Sequence, residues 1–167
     1  WPEGAGFELE RPRGHEDYTF LHFFDSVEVL SGGEQIVTRP HACILYAPGT
    51  PQWFHSTSPL LHDWFHFKGE VPTGLLPCNV LLYPSDSGFI TAFVQEMEAE
   101  YAADRFQGQL LLDIKVKELF IRLARACTGD YTPAIAAAVR EQFHALRRQV
   151  ISHLGETWTV ERMAEMV

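Results

Sequence analysis

The chain changes its hydrophobic period halfway along, and that change constrains the fold more than any other feature. Nine of its ten prolines and most of its aromatic residues lie within residues 1–84. Proline breaks helices and is confined to the edges and turns of sheets, so this half cannot be long helix. Its apolar residues fall into short segments bounded by turn residues, which predicts strands over 7–11, 18–24, 26–30, 35–39, 43–47, 52–56, 61–67 and 80–83. Gly32-Gly33 supplies the positive φ of a tight hairpin turn. Pro48-Gly49-Thr50-Pro51 marks another turn. Eight short strands at this spacing predict a sandwich or a small barrel.

From residue 85 the period becomes 3.6. Ile90, Phe93, Val94, Met97 and Tyr101 form one stripe. Leu112, Val116, Leu119, Phe120, Leu123 and Cys127 form a second, stopped by Gly129. Thr132-Pro133 reads as an N-cap with proline at the first helical position. A third stripe follows through Ile135, Val139, Phe143, Leu146, Val150 and Leu154. Thr159 caps a last helix carrying Val160, Met163, Ala164 and Val167. The fold class read from this order is α+β, strands first and helices after.

Hydrophobic residues make up 46% of the chain and charged residues 21%, enough apolar material for a core. Lys plus Arg number 13 against 22 Asp plus Glu, a net charge of −9. Such a surface does not suit a stand-alone nucleic-acid binder, which must displace phosphate counterions. Apolar runs are far short of the roughly 20 residues of a membrane span, and no segment reads as a signal peptide. Three widely spaced cysteines (Cys43, Cys78, Cys127) read as free thiols in a reducing compartment, so the expected location is cytoplasmic. The opening at Trp1, with no Met, is read as a sign that upstream residues precede it.

One strand carries the candidate chemistry. Along residues 61–68, His62, Trp64 and His66 share one face, and Asp63, Phe65 and Phe67 share the other. The Phe65/Phe67 face suits packing against helices. The His/Trp/His face combines a flat apolar ring with hydrogen-bonding groups, as a small-molecule pocket requires. The same residues also fit a partly polar core. Trp53, Phe54 and His55 follow the proline turn and form either a pocket rim or strand core. Arg11 and Arg13 reach a ligand from the N-terminal arm, or else sit in solvent.

The tail is the most specific stretch. Trp158-Thr159-Val160-Glu161-Arg162-Met163-Ala164, after a helix ending near Ile151-Ser152-His153, resembles the opening of the DNA-binding domain of AraC-type bacterial transcription regulators. Arg11-Pro12-Arg13-Gly14 with Asp17-Tyr18, the Pro48–Pro51 turn, and the Trp64–Gly69 strand end resemble the ligand-binding domain of the same family. Where many members carry His directly after that turn, this chain carries Gln52. The resemblance implies a cupin-like double-stranded β-helix (a jelly-roll barrel) over 1–84 and a helical dimerisation segment over 85–130. A linker over 131–142 and the start of a truncated helix-turn-helix over 143–167 would follow, with the recognition helix beyond Val167.

The resemblance therefore implies an effector-sensing, dimerising region of a transcription regulator and not an enzyme. Its partners would be a small polar effector such as a sugar, a second copy of the chain, and DNA through the full-length protein but not this fragment. Candidate ligand-binding residues are His62, Trp64, His66, Phe54, His55 and Arg11. Leu112, Val116, Leu119 and Leu123 have coiled-coil spacing and are the candidate dimer seam, although the same stripe also suits packing on the barrel. The rival is a metal-dependent cupin enzyme, an isomerase or dioxygenase. Metal cupins bring a His-x-His pair, and this chain has none. In an extended strand the Cα atoms of His62 and His66 lie roughly 13 Å apart, too far to share one ion comfortably. No metal and no cofactor are expected.

Overall fold

The computed structural model describes residues 2–69, 75–128, 146, 150 and 158–164. The chain divides into two compact units, residues 1–131 and residues 132–167. The described part of the first unit opens with strands β1 (Pro2–Glu3), β2 (Phe7–Arg11), β3 (Tyr18–Phe23), β4 (Glu28–Ser31) and β5 (Glu34–Val37). It continues with β6 (Cys43–Tyr46), β7 (Gln52–Ser56), β8 (Leu60–Phe67) and β9 (Leu81–Leu82). Helices α1 (Gly88–Ala103) and α2 (Gly108–Thr128) follow. The expected strands lie within two residues of the observed ones at each end. β1 was not foreseen, because two residues that include a proline carry no period.

The strands form two antiparallel sheets, ordered β1-β8-β3-β6-β9 and β2-β7-β4-β5. Alternation along each strand then sorts side chains into two apolar layers. Between the sheets lie Leu21, Phe23, Val29, Ile44, Tyr46, Phe54 and Leu60. Between the first sheet and the helices lie Phe20, Cys43, Leu45, Ile90, Leu119, Phe120 and Leu123. Phe120 sits among Phe20, Phe65 and Phe67, with ring centroids 5.9, 6.3 and 5.4 Å away. The Phe65/Phe67 face of β8 is thus helix-facing, as its parity suggests.

A buried polar contact ties α1 to this sheet. Thr91 Oγ1 donates to Asp63 Oδ2 at 2.7 Å, and His22 Nδ1 lies 3.0 Å from the same oxygen. Burial pushes the Asp63 carboxyl up, but the hydrogen bonds from His22 and Thr91 outweigh it, so its pKa lies below the ordinary 3.8.

Helix α2 corrects one expectation. Leu119 and Leu123 are fully buried, and Leu112 and Val116 pack against the same sheet-facing layer. A side chain buried within the protomer cannot also form a seam with a second copy unless the helix leaves the sheet. Steps of three and four residues describe a helix stripe laid on any flat apolar surface, and here the surface is the sheet. The large apolar side chains that α2 leaves exposed are Leu110, Leu111, Ile114 and Ile121.

Of the second unit, the described residues include a short helix, α3 (Val160–Ala164). Thr159 caps it as expected. Its Oγ1 accepts from the Arg162 amide at 3.2 Å and its carbonyl from the Met163 amide at 3.0 Å. Leu146 is buried. The Thr132-Pro133 cap, the 131–142 linker and most of the third stripe lie outside the described residues. No helix among the described residues is long and apolar enough to cross a membrane.

Candidate functional site

A cavity of about 130 Å³ opens at one end of the space between the sheets. That is small beside the roughly 300–1,000 Å³ of pockets that take drug-sized ligands. Its apolar wall includes Phe7, Leu9, Leu21, Phe54 and Trp64, and its polar groups are Glu3, Arg11, Thr19, Gln52, His62 and His66. The lining follows from parity. Phe7, Leu9 and Arg11 alternate on β2, Gln52 and Phe54 on β7, and His62, Trp64 and His66 on β8. Pairing of β2 with β7 sets Arg11 opposite Gln52. Pairing of β3 with β8 sets Thr19 opposite His66.

These four residues form one hydrogen-bonded chain across both sheets. Arg11 Nη1 donates to Gln52 Oε1 at 3.2 Å. Gln52 Nε2 donates to Thr19 Oγ1 at 3.0 Å, and that hydroxyl lies 3.0 Å from His66 Nδ1. Thr19 and Gln52 are buried at 2% exposure each. The His15 ring stacks on His66 at 3.8 Å with 3° between the planes. The loop carrying His15 is held by the proline turn, since the Gly49 amide donates to the His15 carbonyl at 2.8 Å. This close approach requires glycine at position 14. Its φ is +67°, and a Cβ there would lie 2.2 Å from the Thr50 carbonyl oxygen. Two motifs 34 residues or more apart in sequence, Arg11–Gly14 and Pro48–Pro51, therefore meet at the same end of the cavity.

The histidines differ in their surroundings. His62 is 4% exposed among the rings of Phe7, Phe23 and Phe54. Burial lowers its pKa from 6.5 to about 4, against a smaller upward pull from Asp63. It is neutral at pH 7. The His66 pKa is also lowered, first by burial and then by its neighbours His15 and Arg11. A hydrogen bond with the Tyr18 backbone and the Asp17 carboxylate oppose this.

Of the residues singled out from sequence, Arg11, Phe54, His62, Trp64 and His66 line the cavity. His55 does not. It lies on the opposite face of β7 and stacks with Trp53, whose indole donates to Glu8 Oε1 at 2.6 Å. A strand cannot present Phe54 and His55 to the same side. Glu3, Phe7, Leu9, Thr19, Leu21 and Gln52 were missed as lining residues. The parity of 7, 9 and 11 was available to find three of the cavity's β2 side chains.

Trp64 and His66 also border a second hollow, of about 350 Å³, between the end of β8 and the helices, with Met97, Tyr101, Leu112 and Val116. Among the described residues, no group of three or more His, Cys, Asp or Glu side chains is arranged to hold a metal ion. Compared with known proteins, the chain matches no protein-family model and no curated sequence.

Proposed function

We propose that this chain is the effector-sensing, self-associating region of an AraC-type transcription regulator, with its barrel built as a cupin-like jelly roll. The observation that carries the reading is the cavity, where an aromatic wall faces a short chain of directed polar groups at one end. A small polar molecule such as a sugar needs this combination of flat apolar contact and fixed hydrogen-bonding partners. Antiparallel strands divided between two sheets, followed by helices on one outer face, are compatible with the jelly-roll reading.

Self-association through α2 falls to the exposed side chains Leu110, Leu111, Ile114 and Ile121. DNA contact belongs to the full-length protein, through the domain whose first helix α3 resembles, and not to this fragment, whose net charge is −9. The role is regulatory and not catalytic, and its place is the cytoplasm.

The test is a thermal-shift panel of sugars and small polar molecules. A ligand that binds only the folded state raises the melting temperature. Trp64→Ala and His62→Ala remove that rise while leaving a folded protein. If a ligand stabilises both variants as it does the parent, the binding site is elsewhere.

A further inference from the structure

The cavity is electrically lopsided. At one end stand Arg11 and His66, with His15 stacked behind His66. Its one lining carboxylate, Glu3, pairs in register with Leu60 at the far end of β8. Six residues of extended strand separate that position from His66, about 20 Å at roughly 3.3 Å per residue. Among the described residues, Glu3 forms no ion pair with Arg11 or His66. Among the described residues, Arg11 has no carboxylate within ion-pairing distance, and it donates instead to the neutral amide oxygen of Gln52. An arginine beside two stacked imidazoles is an arrangement that a ligand's negative charge would complement.

We infer that the ligand of this cavity is a small carboxylic acid, its carboxylate seated between Arg11 and His66 and its remaining atoms against Trp64 and Phe54. This rests on the sensing reading above and narrows its ligand class. The guanidinium supplies two parallel N–H donors that match a carboxylate. It exchanges the neutral Gln52 oxygen for a charged acceptor. Protonated His66 carries an N–H on both ring nitrogens; Nδ1 faces the Thr19 hydroxyl, and the acid takes the other.

The groups facing His66 are Trp64 on its own strand, Thr19 on β3, Arg11 on β2, His15 and Asp17 on the preceding loop, and Glu98 and Tyr101 of α1 across the second hollow. Of these Asp17 and Glu98 are negative. The Asp17 carboxylate lies 3.8 Å from Lys68 Nζ, and Glu98 lies on the hollow's side of β8, away from Arg11. A bound carboxylate raises the His66 pKa, so binding near pH 7 takes up a proton.

The experiment compares matched pairs by thermal shift and calorimetry: glucuronate with glucose, galacturonate with galactose, and benzoate with benzyl alcohol. At least one acid is expected to stabilise the protein where its neutral counterpart does not. Its heat of binding should vary with the ionisation enthalpy of the buffer. Arg11→Gln should weaken that acid at least roughly ten- to a hundredfold, since the charged two-donor contact gives way to at most one neutral hydrogen bond, while Arg13→Gln leaves it unchanged. His66→Gln should retain some binding and lose the proton uptake. Neutral members that bind as well as the acids, in a Trp64-dependent way, would overturn the acid assignment and leave the sensing reading standing. No stabilisation by any member of the panel counts against both. An acid that binds Arg11→Gln normally overturns the assignment alone.

Discussion

The first sheet has two faces with opposite treatment of polar groups. On the helix side, His22 and Asp63 are the polar exceptions in an aromatic and aliphatic layer. Asp63 is locked by His22 and Thr91 within 3.0 Å. On the side facing the second sheet, the polar groups gather at one end, beside open space, and bond to one another in a chain. The first face behaves as a seal and the second as a receptacle. The same eight residues of β8 serve both. The difference teaches that one strand can hold a site steady because its other face is tightly packed, and four predictions can break or sharpen that contrast.

The largest effect is expected on the sealed face. Phe120 is fully buried among three aromatic rings. Phe120→Ala should cost about 3–5 kcal/mol of unfolding free energy, measured by denaturant titration. A loss near 1 kcal/mol would mean that this face is no tighter than the cavity side.

Next is the acid response of His62. Its folded pKa of about 4 lies below the unfolded 6.5, so the folded state binds fewer protons between those values. Stability should therefore be full above pH 6.5 and fall as the pH drops toward 4, by at most about 1.4 kcal/mol per pH unit. His62→Gln should flatten that part of the curve. An unchanged slope would show that the cavity solvates the protonated ring.

Asp63 has the opposite partners and a lower window. Its folded pKa is depressed, so its contribution is present above about pH 3.8 and is lost as pH falls through the lower folded value. Asp63→Asn should cost about 1–3 kcal/mol at pH 7, the penalty for disturbing a buried, satisfied acceptor. It should also remove the acid-limb dependence below pH 4. Equal stability of the variant would mean that α1 is held by apolar contacts alone.

The strands and the division of β8 into two faces were legible in sequence, because alternation is a local property of the chain. His62, Trp64 and His66 could be separated from Asp63, Phe65 and Phe67 by counting. His55 was misplaced because it was grouped with its neighbour Phe54 by proximity to a turn and not by parity. The α2 stripe was legible as a stripe but not in its partner. Leu112, Val116, Leu119 and Leu123 fit either a helix or a sheet, and only the tertiary arrangement decides. The chain of Arg11, Gln52, Thr19 and His66 joins four strands and two sheets, so no spacing along the sequence announces it. Gln52 stood out only as a residue where histidine is common in the family the chain resembles.

The smallest effect is the sharpest test of the contrast between the faces. Thr19 is as buried as Asp63 by exposure, 2% against 8%, and it too sits in a hydrogen-bonded chain. Thr19→Val removes the hydroxyl that accepts from Gln52 and meets His66, and replaces it with a methyl group of similar size. If the cavity admits water, a solvent molecule can take over the bonds to the Gln52 amide and the imidazole. Water bridging two polar groups is nearly as good as a direct bond, at an ordering cost of about 0–2 kcal/mol. The expected loss of stability is therefore within about 1 kcal/mol, clearly below that of Asp63→Asn measured in the same denaturant series. A free His66 should also show a shifted titration by nuclear magnetic resonance, since its Nδ1 has exchanged a fixed hydroxyl for a mobile one. If Thr19→Val costs as much as Asp63→Asn, the polar end of the cavity is as dry as the helix face. Its hydrogen-bonded chain would then be a structural lock with no place for a ligand.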